Sequence, residues 1–452
     1  MKTLLKHGTL VTMNPRREIH EGDLLIEDDR IASIMPGGSL DGTDADEVLE
    51  CQGKVVIPGL VSAHSHLTGI LQRGLWDETT FESWSSKSTA AERKFDPLPE
   101  EIYVAHCAAC IELLRHGVTT ALNMFTAPEG IPMEHVDQAL RALRDTGIRG
   151  VLALSLKEKS PDNEALVPHS MKLDAWLERA REASKRVGRE GARMSFMLAP
   201  SAPQRCSDRL LEECAALAAE LKIGVHTHLS ETKRHAEVGR RLYGEPIVRH
   251  LQRIGFLSPQ LSVAHSIWLD DLEMDLLRQY NVKVVHNPSS NMKLSSGVAR
   301  VKQMLKKGLT VGLGADSVNA GTVYSIFEQM KLSVLLPRSV WEPEEWVTPD
   351  QAFEMATLGG AKALLLEAVT GSIEEGKKAD LVILNPSTTL LPQNKLVTQL
   401  ALSESGESVE SVFVNGEPVI LNRAFTSLDE RAVLSELSAL GPKIAQAVIL
   451  SS

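Results

Sequence analysis

Between residues 55 and 315 the chain alternates eight times between a short apolar run and a segment with helical spacing. The runs are 55–63, 117–124, 148–156, 193–199, 223–229, 261–265, 282–286 and 309–315. Runs this short read as strands, and the segments between them carry apolar residues at the period of a helix. Helices are expected at 101–115, 134–146, 171–187, 208–222, 270–280 and 299–307. Eight such repeats predict an α/β chain built on a closed (β/α)8 TIM-like barrel, whose catalytic groups belong at the C-terminal ends of its strands.

The flanks read differently. Residues 1–54 form short alternating stretches with turns at Asp28-Asp29 and Gly37-Gly38. After a helical stretch at 348–366 the strand pattern returns, and Asn415-Gly416 between 409–414 and 419–421 is a strong hairpin signal. The expectation is a β-sandwich from residues 1–54 plus 367–424, a metal-dependent catalytic barrel at 55–366 and a C-terminal helix at 425–452. No low-complexity linker separates these parts, so they should pack together.

Charge and cysteine usage narrow the class. The net charge of −11, without a basic block, argues against nucleic acid or an anionic membrane as partner. No apolar stretch reaches the ~18 residues of a membrane span. The N-terminus lacks the apolar core of a signal peptide, and five cysteines make an odd count, so reduced thiols in the cytoplasm are expected. Cys107 and Cys110 have the spacing of a redox or zinc motif. They fall inside an apolar helix with no second pair and read as small residues on a buried face. A small heterocyclic molecule is the expected partner, and a homodimer or homotetramer the expected assembly.

The chemistry gathers at the strand ends. His64 and His66 close the first run, and residues two apart on a strand face the same side. His226, His228 and Glu231 follow the fifth run, His265 ends the sixth, and Asp316 follows the eighth. Imidazoles with one carboxylate suit Zn²⁺ or Fe²⁺ and leave a coordination position for water. Such a metal lowers the pKa of its water towards ~7 and so makes hydroxide available at neutral pH. His226 and His228 share a face, so only one need be a ligand; His228 is nearer the barrel mouth.

The motifs Pro58-Gly59-Leu60-Val61-Ser62-Ala63-His64-Ser65-His66, His228-Leu229-Ser230-Glu231-Thr232, His286-Asn287-Pro288-Ser289-Ser290-Asn291 and Leu313-Gly314-Ala315-Asp316 resemble the amidohydrolase superfamily. The resemblance spans nearly the whole chain and is nearest to the mononuclear branch of cytosine, purine and triazine aminohydrolases. It implies one divalent metal ion, zinc before iron, held by His64, His66, His228 and Asp316. It also implies that Glu231 shuttles a proton to a ring nitrogen and that His265 orients the attacking hydroxide. Asp316 would take the proton from the water. The implied reaction is deamination of a triazine, purine, pterin or pyrimidine-like ring. Dechlorination, or amide or urea hydrolysis, would use the same site, and a non-catalytic scaffold is the reading from another class.

Two departures bear on the substrate. Binuclear relatives often end the fourth strand with a carboxylated lysine; here Ala199-Pro200-Ser201 stands there, so one metal is expected. Deaminases of adenosyl thioethers usually offer histidine at that strand end and a second arginine shortly after the first of the third strand. This chain has Ser201, and no arginine closely follows Arg149. Trp76, Trp84, Ser201, Gln204, Asn287 and Asn291 are the candidate substrate contacts. Phe81 and Trp84 either wall a flat ring or pack on the barrel, and the loop around Pro288 either lines the pocket or is a structural turn.

Overall fold

The computed structural model describes residues 1–77, 79–126, 130–159 and 171–450. The first strands are β1 (Lys2–Val11), β2 (Ile19–Glu27), β3 (Arg30–Pro36), β4 (Glu47–Glu50) and β5 (Val55–Pro58). The barrel strands follow: β6 (Leu60–Ser62), β7 (Val118–Phe125), β8 (Arg149–Leu156), β9 (Met194–Pro200), β10 (Gly224–Leu229), β11 (Leu261–His265), β12 (Lys283–His286) and β13 (Val311–Leu313). Last come β14 (Leu381–Leu384), β15 (Val409–Val414), β16 (Glu417–Leu421) and β17 (Ala424–Phe425).

Strands β6 to β13 pair in chain order, all parallel. Every residue of β7 and β8 is buried, which is why these segments are mostly apolar on both faces rather than alternating. The ring is drawn shut beyond the ends of β6 and β13. Ala63 N–H donates to Leu313 O at 2.8 Å, Asp316 N–H donates to His64 O at 3.0 Å, and Ser65 bridges Asp316. This seam is what brings His64, His66 and Asp316 side by side. Gly314 lies on it because a Cβ there would sit 2.3 Å from Asn287 Oδ1 and 2.8 Å from His64.

The expected helices occur with small shifts at their ends: Pro99–Arg115, Met133–Thr146, Leu173–Arg189, Asp208–Leu221, Asp271–Gln279 and Val301–Lys306. Their starts carry local signals. Ser207 accepts from Leu210 N–H, and Asp270 forms a capping box with Glu273. Cys107 and Cys110 are buried and unpaired on the first of these helices, and burial pushes the Cys107 thiol up to about 12.

Two expectations need correction. The run 55–63 is not one barrel strand. It breaks at Gly59, where a Cβ would fall 1.9 Å from Thr119 Oγ1. Val55–Pro58 pairs with β1 and β14 in the second sheet, and only Leu60–Ser62 enters the barrel. The segment 425–452 is not one helix either. Phe425 still pairs in β17, and helices Glu430–Ala439 and Gly441–Ile449 meet at Leu440, next to Pro442, whose ring removes a backbone donor.

The expected sandwich is a single nine-stranded mixed sheet, ordered β17-β16-β15-β14-β5-β1-β2-β3 with β4 beside β1. It curls on itself: Ile31 of β3, Leu381 of β14 and Phe413 of β15 share one buried cluster, and Arg30 bridges Lys378. The Asn415-Gly416 hairpin forms as expected, both residues at positive φ, and a Cβ on Gly416 would come 2.1 Å from Asp28 O.

One buried ion pair joins sheet to barrel. Arg149, at the start of β8, clamps Asp380 through Nε at 2.7 Å and Nη2 at 2.9 Å, and Asp380 also accepts from Asn415 N–H at 2.7 Å. Asp380→Ala leaves the guanidinium buried and unpaired, a change that costs about 3–5 kcal/mol. Urea unfolding should register that loss with the metal content unchanged. A loss under about 1 kcal/mol, the worth of an exposed pair, would show that the clamp is dispensable.

Candidate metal centre and active site

His64 and His66 lie just past the end of β6, where Ser65 is paired with Asp316, and their rings stand 4.9 Å apart and nearly perpendicular. His228 comes from β10. Its ring is parallel to that of His66 at 5.4 Å, and the two Nε2 atoms are 3.3 Å apart. Each of these rings uses its other nitrogen on a carbonyl: His66 Nδ1 on Met124 O at 2.9 Å, His228 Nδ1 on Ser201 O at 2.6 Å. A carbonyl only accepts, so both Nδ1 atoms carry the proton. Burial holds both imidazoles neutral, His66 down to about 4 and His228 well below its ordinary value. Two unprotonated nitrogens therefore point at each other, an arrangement that a cation between them resolves.

His64 points the same way. Its Nε2 is buried without a hydrogen-bond partner, 3.5 Å from Asp316 Oδ1. Its Nδ1 lies 2.9 Å from His226 Nε2, and His226 Nδ1 is 2.8 Å from Ser262 Oγ. A proton on His64 Nδ1 donated to His226, and one on His226 Nδ1 donated to Ser262, leaves His64 Nε2 free to ligate. His226 thus supports His64 from one layer deeper, the outer-shell arrangement common around metal-binding histidines.

Asp316 completes the cluster, with Oδ1 3.9 Å from His66 Nε2 and Oδ2 3.8 Å from His265 Nε2. Burial would push its carboxyl up, but His64, His265 and His66 outweigh that and hold it well below the usual carboxylate range. His265 is aimed by Asn291, whose Oδ1 is 2.8 Å from its Nδ1. His265 and Asp316 both have left-handed backbones, at φ 69° and 57°, strain of the kind that accumulates at functional sites. The donor set of nitrogens and one carboxylate fits a divalent metal.

Glu231 is buried beside this cluster, its Oε1 3.8 Å from His265 Nε2. Burial first, with Asp316 and Glu82 adding, pushes its carboxyl up to about 7, against the pull of His265. A carboxyl that holds or releases a proton near neutrality suits acid–base work.

A cavity of about 130 Å³ opens over these groups. Trp84, Ser201 and Gln204 line it, and Gln204 Oε1 is buried without a partner. Trp76 does not; its Nε1 donates to Gln72 at 3.1 Å. Asn287 and Asn291 lie behind His265 rather than in the cavity wall. Phe81 and Trp84 line the cavity, with their ring centroids 5.9 Å apart.

Other wall residues escaped the sequence reading. Lys157 follows the last residue of β8 and lines the cavity with Glu92 and Arg205. Burial brings the Lys157 amine down to about 8. Its position just past a strand end was the available signal. Glu92 and Arg205 lay on segments with no such mark.

The model of the amidohydrolase family matches residues 55–419. A 5-methylthioadenosine/S-adenosylhomocysteine deaminase of Bacillus cytotoxicus is 32% identical over 444 residues, 96% of this chain and 98% of that protein. An adenosine deaminase from Xanthomonas campestris, solved with bound zinc, superposes with a TM-score of 0.89 at 24% identity, covering 98% of each chain. Atrazine chlorohydrolase from Arthrobacter aurescens, complexed with zinc, gives 0.89 at 23% identity over 97% of this chain and 100% of that one. At these identities the two structures establish likeness of fold.

Proposed function

Because the chain belongs to the amidohydrolase family, we propose that it is a metal-dependent hydrolase that removes an amino group from an aminated nitrogen heterocycle. The observation that carries this reading is the meeting of unprotonated nitrogens from His64 and His66 at Asp316, with His228 Nε2 3.3 Å from His66 Nε2 and Glu231 lining the same cavity. The proposed ligands are His64, His66, His228 and Asp316, and the proposed metal is zinc. When bound, such a metal supplies a Lewis acid and lowers the pKa of water.

The side chains divide the remaining work. Asp316 accepts a proton from the attacking water, whose oxygen bonds to the ring carbon bearing the amino group. Glu231 gives its proton to the adjacent ring nitrogen, so that the carbon becomes tetrahedral without a build-up of charge. Asp316 passes the proton it took to the amino group, ammonia leaves with the C–N electron pair, and the hydroxyl proton goes to Glu231 as the C=O bond forms. His265, held by Asn291, orients the oxygen. Gln204 Oε1 is an acceptor waiting for a ring N–H. Buried free cysteines accord with a reducing compartment such as the cytoplasm. Among the described residues no helix is long and apolar enough to cross a membrane.

Ammonia release from zinc-loaded protein tests the reading across aminated purines, pyrimidines, pterins and triazines, with 5-methylthioadenosine and S-adenosylhomocysteine included. We expect a small aminated ring to give a higher kcat/KM than S-adenosylhomocysteine, because Ser201 offers no imidazole at the end of β9 and Arg149 is committed to Asp380. A preference for S-adenosylhomocysteine would refute the substrate assignment. Release of chloride or an aryl amine without ammonia would refute the leaving group.

A further inference from the structure

One acceptor in the wall of the metal cavity has no partner, and its neighbours fix the direction in which it points. Asn319, shortly after Asp316, lines that cavity and is 3% exposed. Trp76 Nε1 only donates and Ser88 O only accepts, so Gln72 turns its Oε1 to the first at 3.1 Å and its Nε2 to the second at 3.2 Å. Asn319 meets Gln72 Oε1 at 3.0 Å and must therefore present Nδ2 there; the same nitrogen donates to Ser88 Oγ at 3.3 Å. Both amide protons are then used, and Asn319 Oδ1 is left buried and unpaired. The backbone is held as well. Lys293 Nζ donates to Asn319 O at 3.2 Å and to Gly321 O at 3.0 Å, and Ser317 O accepts from Ala320 N–H at 3.0 Å and Gly321 N–H at 2.6 Å. Gly69, also in the cavity wall, faces the oxygen without a side chain: a Cβ there would lie 3.3 Å from Asn319 Oδ1 and 1.7 Å from Ser317 Oγ.

We propose that Asn319 is a substrate-binding residue that holds the amino group about to leave. The proposal rests on the deaminase reading for the reaction. A buried acceptor without a partner is costly, and an N–H group on a bound molecule relieves that cost where a chloro substituent does not. The place fits the amino group. Asn319 follows β13 on the same turn as Asp316, which passes its proton to that group, and it meets Gln72 from the segment after β6. Glu231, which serves the ring nitrogen, follows β10, the fifth of the eight barrel strands in order, on the other side of the ring of strands. Asn319 Oδ1 takes no proton. It accepts an N–H of the amino group, and accepts it more strongly once the Asp316 proton has made that group an ammonium. The residue thus favours leaving groups that carry N–H.

The test compares adenine and 5-methylthioadenosine on zinc-loaded protein, each beside the same purine with chlorine in place of the 6-amino group. Asn319→Ala should lower kcat/KM for the amino compounds about 10- to 100-fold, the worth of a hydrogen bond to a charged group. The chloro compounds are followed by chloride release or, where inert, by their inhibition constants, and should change by less than about threefold, below the worth of such a bond. A residue that only shaped the cavity would cost both alike. If the alanine variant fails to fold, Asn319→Ser makes the same comparison, because its hydroxyl falls short of the position of Oδ1. Equal losses on the two members of a pair, or a loss on the amino compounds below about threefold, would overturn the proposal. Where the unsubstituted protein releases ammonia from neither purine, the deaminase reading fails separately for purines. Asn319 is then judged on melamine by calorimetry: it must bind the unsubstituted protein at least about threefold more tightly than the Asn319→Ala variant, and equal affinities would overturn the proposal.

Discussion

Glu231→Gln should keep a full complement of metal and lose about 10² to 10⁴ in kcat, the range that a positioned general acid or base supplies. The amide matches the carboxyl in size and fills the same buried place, so the barrel around it should not rearrange. It has no proton to give to a ring nitrogen. Nothing in the geometry makes Glu231 a ligand: it lies 3.8 Å from His265 and outside both groups of side chains whose donor atoms converge. Metal analysis and steady-state rates on the same preparation check this. Near-normal turnover would remove Glu231 from the proton path, and loss of metal would place it among the ligands.

Removing the metal, by chelation or through His64→Ala, should abolish measurable turnover while the barrel stays folded. Lewis-acid assistance contributes several kcal/mol, and each 1.36 kcal/mol is tenfold, so a drop of about 10³-fold or more is expected. The fold survives because the buried core extends through all eight barrel strands and their helices and does not depend on the metal-binding side chains. Apparent stability should still fall on chelation, since a ligand that binds only the native state stabilises it. Elemental analysis should find one tightly held metal per active chain. Two would contradict the absence of a lysine at the end of β9, and chelated protein with full activity would refute a metal-dependent mechanism.

The sequence by itself determined the repeats and the places where chemistry could appear. Alternating apolar runs are a local property of a strand buried on both faces, so β7 to β12 could be read within a few residues. His66, His228, His265 and Asp316 could be singled out because each ends or follows such a run, and strand ends are where a barrel exposes side chains to substrate. Only the tertiary structure decided what these residues do to one another. His226 and His228 share a face and differ along the chain only in depth; the structure adds that His228 meets His66 across the barrel while His226 meets His64 and Ser262. Asn291 reads as a loop residue facing the pocket, yet it lies behind His265 and aims it. The break at Gly59 was invisible because an apolar run continues through it, and only the crowding by Thr119 shows where one sheet hands over to the other. Lys157, Glu92 and Arg205 meet in one wall although they are far apart in sequence. Burial and through-space contact are properties of the closed chain: the same carboxyl is ordinary in an extended segment, and becomes Glu231, with its proton held to about 7, once the barrel takes it out of water.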